Sequence, residues 1–346
     1  MHRVVVAALA LFCLALSGTA DAADKLVLQS KWLPQAQFAG YYVARDKGLY
    51  RQAGLEVTIL PGGPDIDPSQ VLASGKADVA IDWMPSALAA RDKGAPIVNI
   101  AQIFQRSGLE LTCRRDSGIR QPADFKGKTI AVWFVGNEYP FLAWMAKLGF
   151  TTSGPNPDVT ILRQGAGVEL LLKKEAACIS TMTYNEYGQL LDAGMAPSQL
   201  IVFRYEDQGV AVLEDGLYTS QSALADPATV DRLARLLRAT VAGWRYAVAP
   251  SHQAEAVALV LRDAAPGALD RHHQQRMLRE VANLLPETAH GWGYLDPVAY
   301  QRTVDVLLSA PTNPVIRQKP EGAWTRGVGQ GIWSLGDGFD PAVLTR

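Results

Sequence analysis

Two sets of aromatic, amide and acidic side chains stand out in this 346-residue chain. The first holds Trp32, Pro34, Gln35 and Gln37, with Phe38 and Tyr41 just beyond, and later Asp82 and Trp83. The second holds Gly136-Asn137-Glu138-Tyr139 and Tyr184-Asn185-Glu186. Flat aromatic faces can sandwich a ring. Amides offer a donor and an acceptor together, and carboxylates accept from amino or ring N–H groups. Such a set suits a planar, nitrogen-containing molecule better than an anion, which would call for Arg, Lys or bare helix N-termini. Only Lys31 and Arg163 flank these stretches. The expected ligand contacts are Trp32, Gln37, Tyr41, Asp82, Trp83, Gly136, Asn137, Glu138, Tyr139, Tyr184, Asn185 and Glu186. Each has a plainer alternative. Trp32 and Trp83 can be packing residues, Tyr41 and Phe38 can face a core, and Glu138 and Glu186 can favour the first turn of the helices they begin.

The elements that position them read as alternating strands and helices. Strands are expected over 25–29, 55–60, 77–81 and 97–103, with helices over 37–47, 69–74 and 85–93. Gly48, Gly75 and Gly94 stand at the helix ends, and Pro85 opens a helix. Alternation of this kind predicts a mostly parallel sheet covered on both faces, an α/β fold. Val57-Thr58-Ile59-Leu60 then recurs as Val159-Thr160-Ile161-Leu162, 102 positions later. The same offset places further strands near 128–131 and 179–182 and maps Asp82 onto Tyr184 and Trp83 onto Asn185. Two similar lobes follow, and both candidate sets fall in loops at the carboxyl ends of strands, where open α/β sheets bind ligands. From about Asp226 onward the pattern is helical, over 230–249, 253–263, 271–285 and 296–308.

His2 and Arg3, the apolar run Val4 to Leu16 and the Ala20-Asp21-Ala22 exit read as a secretory leader cleaved near Ala22. The run is shorter than the ~20 residues a spanning helix needs. The expected organisation is a leader over 1–22, the first part of lobe one over 23–110, lobe two over 111–208, and a return to lobe one with C-terminal helices over 209–346. A formal net charge of −1 gives no electrostatic reason to expect nucleic acid. Cys113 and Cys178 remain beyond the leader, and export permits either a bridge or two separate thiols. His252, His272, His273 and His290 read as solvated surface histidines.

The residues Lys31-Trp32-Leu33-Pro34, Gln37 to Ala44, Lys47-Gly48-Leu49-Tyr50, Gly54-Leu55-Glu56-Val57, Gly75 to Ala80, Phe125-Lys126-Gly127-Lys128 and Trp133 to Glu138 resemble the periplasmic binding proteins of the thiamine-pyrimidine family. The likeness runs in order from about residue 25 to 300. It implies a type II periplasmic-binding-protein fold, with two α/β lobes, a cleft between them and two interlobe crossovers. It also implies a periplasmic receptor that binds a heteroaromatic ligand, such as a thiamine pyrimidine precursor, and docks on the permease and ATPase subunits of an ABC importer. Relatives that bind taurine, other sulfonates or nitrate share shorter pieces, so a sulfonate or nitrate receptor is the alternative within this class.

An enzyme branch of the same family, the pyridoxal-phosphate-dependent pyrimidine synthases, is the alternative from another class. That branch has a Lys and a His four residues apart after the third strand, and a Cys-rich segment. Asp82 and Ser86 stand at the matching places here, and Gln208-Gly209-Val210-Ala211-Val212 has no cysteine. No G-x-S-x-G, Walker or H-E-x-x-H pattern occurs. The expectation is therefore a binding protein without catalytic residues, cofactor or metal.

Overall fold

The computed structural model describes residues 22–285, 290–310 and 314–329, so the expected leader lies almost wholly outside the described residues. In chain order the strands are β1 (Asp24–Gln29), β2 (Leu55–Leu60), β3 (Val79–Trp83), β4 (Ile97–Gln102), β5 (Leu109–Arg114), β6 (Thr129–Val132), β7 (Thr160–Arg163), β8 (Cys178–Met182), β9 (Leu200–Arg204) and β10 (Asp215–Ser220). The helices are α1 (Ala39–Asp46), α2 (Leu49–Gln52), α3 (Pro68–Ala73), α4 (Met84–Asp92), α5 (Tyr139–Lys147), α6 (Glu169–Leu172), α7 (Glu186–Asp192), α8 (Pro227–Val248), α9 (Gln253–Asp263), α10 (Arg271–Leu284) and α11 (Pro297–Leu308). Four helices begin the same way. Asp67, Asp226, Asp270 and Asp296 each accept a hydrogen bond from a backbone N–H of the first turn. Proline follows three of these aspartates, where its fixed φ suits a helix start and no N–H is needed.

The strands form two five-stranded sheets of matching topology, β2-β1-β3-β10-β4 and β7-β6-β8-β5-β9. Within each, four strands run in one direction and one, next to an edge strand, runs antiparallel to both of its neighbours. The chain leaves the first sheet after Gln102 and enters the second at Leu109, then leaves it after Arg204 and re-enters the first at Asp215. These are the two expected crossovers, and the α/β class and two-lobed architecture hold. β3 and β8 have every residue buried. Such strands lie between covered faces, so neither has a solvent-facing side.

The internal offset is only partly uniform. Val27 pairs with Thr58, and Thr129 pairs with Thr160, so β1 and β2 map onto β6 and β7 at 102. Leu28, however, pairs with Val79, and Ile130 with Cys178, so the third strand maps at 99. Asp82 and Trp83 thus correspond to Thr181 and Met182, not to Tyr184 and Asn185. The second lobe has three residues fewer between its second and third strands. β3 also starts two residues later than expected, which makes Asp82 and Trp83 strand residues rather than loop residues.

Cys113 and Cys178 face each other across β5 and β8 and form a disulfide. The C-terminal helices return to the first lobe. Gly40 and Gly243 bring α1 and α8 together so closely that a Cβ on Gly243 would lie 2.2 Å from the Gly40 carbonyl oxygen. Trp244 sits edge-on to Tyr41 at that seam, with centroids 5.7 Å apart. α11 packs against α4 of the first lobe and α5 of the second.

Candidate functional site

The carboxyl ends of β1, β3, β6 and β8 enclose a cleft between the lobes, with an empty volume of about 310 Å³. The first lobe contributes Lys31, Trp32, Gln35 and Gln37 from the loop after β1, and Trp83 from the end of β3. The second contributes Trp133 and Asn137 after β6, Met182 at the end of β8, and Tyr184, Asn185 and Glu186 leading into α7. Trp32 and Trp133 meet edge-to-face across the lobes at 5.9 Å.

The polar groups form one directional chain. His273 Nε2 lies 2.9 Å from Asn185 Oδ1, an oxygen that can only accept, so this ring nitrogen is the donor. Gln189 Nε2 donates to the same oxygen at 3.0 Å. Asn185 Nδ2 donates to Glu186 Oε1 at 2.7 Å and, across the cleft, to Gln35 Oε1 at 3.4 Å. Gln35 Nε2 donates to Gln37 Oε1 at 2.7 Å, and Gln37 Nε2 donates to Asp215 Oδ2 at 2.8 Å. The other oxygen of Asp215 accepts from Trp83 Nε1 at 2.9 Å. Each amide thus has its orientation fixed by its neighbours.

The charged groups at the cleft are either paired or deeply buried. Lys31 donates to Asp82 at 2.6 Å, and Asp82 also accepts from Ser69 Oγ at 2.5 Å and from the Trp83 N–H at 2.8 Å. Burial pushes the Glu186 carboxyl up to about 8 and the Asp215 carboxyl up to about 7. A neutral Glu186 carries an O–H donor at neutral pH. This differs from the sequence expectation, in which the carboxylates act only as acceptors.

The expected contacts divide into two groups. Trp32, Gln37, Trp83, Asn137, Tyr184, Asn185 and Glu186 line the cleft. Asp82 stands behind the wall, clasped by Lys31 and Ser69. Tyr41 turns into the core at 1% exposure and packs on Trp244. Gly136 and Glu138 act on the loop itself: the Gly136 N–H donates to Glu138 Oε2 at 2.8 Å, and Ser86 Oγ of the first lobe donates to the Gly136 carbonyl at 3.0 Å. Position 136 requires glycine, because its φ is +93° and a Cβ there would lie only 2.6 Å from Ser86 Oγ. Tyr139 lies at the lobe interface beside Lys93 at 3.4 Å.

Several participants were not expected from the sequence. His273 is buried, not solvated, and its ring also lies 3.1 Å from Asp192. Its helix, far along the chain, reaches the second lobe through this contact and through the Arg276–Asp192 ion pair. Glu214 and Asp215 are both fully buried. Glu214 accepts from Ser107 Oγ at 2.7 Å and from the Gly108 N–H at 3.0 Å, tying the second crossover to the first. An acid pair directly after the apolar run Val210 to Leu213 was the available signal, since carboxylates rarely follow such a run into a strand unless they are bonded there.

Comparison with known proteins agrees with this geometry. A formylaminopyrimidine-binding protein of Halalkalibacterium halodurans is 23% identical over 312 residues, covering 88% of this chain and 92% of that protein. A 4-amino-5-hydroxymethyl-2-methylpyrimidine phosphate synthase of Aspergillus parasiticus is 29% identical, but over only 31% of this chain and 32% of the synthase. The periplasmic aliphatic sulphonate binding protein of Escherichia coli superposes with a TM-score of 0.60 at 15% identity, covering 86% and 92% of the two chains. That likeness shows a shared periplasmic-binding-protein fold. The family described as NMT1/THI5 like matches residues 35–256, well over half of the sequence, and the chain belongs to that family.

Proposed function

We propose that this protein is the extracytoplasmic binding component of an ABC importer, and that its cleft holds a small heteroaromatic ligand of the thiamine-pyrimidine-precursor type. The observation that carries the reading is the combination of Trp32, Trp83, Trp133 and Tyr184 with the oriented amides of Gln35, Gln37 and Asn185 around one cleft. Aromatic walls hold a ring, and fixed donors and acceptors read its edge. Burial favours the protonated form of Glu186, whose O–H suits a ring nitrogen. The name of the Halalkalibacterium relative points to the same ligand class. Capture between closing lobes would be followed by delivery to permease and ATPase partners. No helix among the described residues is long and apolar enough to cross a membrane.

One observation favours a sulfonate or nitrate ligand instead: Lys31 is buried at the cleft. Its charge is already met by Asp82 at 2.6 Å, so it offers an anion less than a free ammonium would. A synthase reading would use positions 82 and 86, and both side chains are engaged, Asp82 by Lys31 and Ser86 by the Gly136 carbonyl.

Isothermal titration and thermal shift with a formylaminopyrimidine, 4-amino-5-hydroxymethyl-2-methylpyrimidine, taurine and nitrate test the proposal. Binding of a pyrimidine is expected. Binding of taurine or nitrate with no response to either pyrimidine would overturn it.

A further inference from the structure

Asp215 does not line the cleft, yet it holds two side chains that do. It is the first residue of β10, at the point where the second crossover re-enters the first sheet, and it pairs in register with Trp83 of β3. Its backbone carbonyl accepts from the Ile103 and Phe104 N–H groups of the first crossover, which fixes the strand end. Its side chain is completely buried and forms no ion pair among the described residues. Its oxygens are taken one each by the Trp83 indole and the Gln37 amide.

We propose that Asp215 is a positioning residue that sets the donor and acceptor pattern of the ligand cleft from behind its wall. A carboxylate accepts on both oxygens, so it can satisfy two donors at once. Gln37 must therefore turn its NH2 toward Asp215 and its carbonyl toward Gln35. Gln35 must in turn donate to Gln37 and offer its own carbonyl to Asn185 of the other lobe. The polarity of Gln37 and Gln35 follows from one anchoring group, which also holds the Trp83 ring, while Asn185 is oriented independently by His273 and Gln189. An amide at position 215 has one acceptor and one donor, so it would leave either Trp83 or Gln37 facing an N–H. The inference rests on the cleft being the ligand site described above, but its main test does not need a ligand.

Asp215→Asn is the isosteric probe, and the full-length chain labelled with 15N-tryptophan provides the readout. The indole N–H of Trp83, assigned with Trp83→Phe, is expected downfield in the native protein and displaced upfield in D215N. The indole of Trp133 donates to the Gly165 carbonyl at 2.9 Å in the other lobe and serves as the internal control. Movement of Trp83 with Trp133 unchanged supports the proposal. No movement of Trp83, or equal movement of both, overturns it. Should D215N fail to fold, Gln37→Leu removes one of the two donors and must also shift the Trp83 resonance, and an unmoved resonance overturns the proposal. Whichever compound of the pyrimidine, taurine and nitrate panel binds the native protein is expected to bind D215N about tenfold more weakly or worse. If none of them binds, the ligand assignment fails while the indole measurement still decides this inference.

Discussion

The Cys113–Cys178 disulfide makes the most quantitative prediction. It joins directly opposed residues of β5 and β8 in the interior of the second sheet, and its partners are 65 residues apart. The closed loop contains β6, β7, α5 and α6, most of the second lobe. In the chain-entropy model, a cross-link over a loop of that size removes ~15 cal/mol/K from the unfolded ensemble, which stabilises the fold by about 4 kcal/mol at 25 °C. Replacing both cysteines by alanine should therefore lower stability by about that amount, with a small further loss from the cavity left by two buried sulfurs. At a urea m-value of about 3 kcal/mol/M, the midpoint falls by roughly 1.3 M. Urea unfolding followed by fluorescence measures this, and thiol titration of native protein under denaturing, non-reducing conditions checks the bond. The shift should appear in the transition reported by Trp133 and Trp144 of the second lobe, with Trp244 of the first lobe as reference. A midpoint shift below about 0.3 M, or two titratable thiols, would refute the reasoning.

Two further outcomes follow from the cleft. Glu186 has its carboxyl raised to about 8 by burial, so the native state keeps a proton that the unfolded chain loses near its ordinary value. Stability from this group is full below the unfolded value, near 4.3, and is lost as pH rises through about 8. Glu186→Gln should flatten the decline of stability between pH 5 and 7 by up to about 1.4 kcal/mol per pH unit; urea melts giving the same slope for both proteins would count against it. Gly136→Ala places a Cβ against Ser86 Oγ in a left-handed backbone conformation. It should cost the closed form at least about 1 kcal/mol, seen as roughly fivefold weaker ligand binding and a more extended scattering profile with unchanged circular dichroism. Unchanged affinity would show that the loop does not close on Ser86.

Much of this architecture is local, and local patterns are legible. The boundaries of α8 to α11 and of β1 and β2 differ from the sequence reading by a few residues at most, because aspartate caps, prolines and amphipathic spacing mark them. The parallel strands of both lobes are legible through one repeated tetrad. The rest depends on contacts between distant residues. β10 lies in the first sheet although it follows the second in sequence, and nothing in Asp215 to Ser220 names its neighbours. The three-residue contraction before β8 is invisible without register, so the pairing of Asp82 with Tyr184 is misplaced. At the cleft, residue types in loops are informative, since seven of the twelve expected side chains line it. Tyr41 is not separable from its core-facing neighbours by spacing alone. His273 and Asp215 reach the site from 88 and 132 residues beyond the partners they hold, Asn185 and Trp83.

The position of β10 also bears on how the chain is made. β3 and β4 are separated in the finished sheet by a strand that emerges only after the whole second sheet, from residue 109 to 204, has been synthesised. The second lobe is continuous and can form its complete sheet as soon as it appears. The first lobe begins earlier but must hold two unpaired strand edges until Asp215 to Ser220 arrives. Such edges invite pairing with other chains. The part of the molecule translated first is thus the last to be completed, and a chain cut short before residue 215 would carry a finished second lobe beside a first lobe that lacks the strand joining β3 to β4.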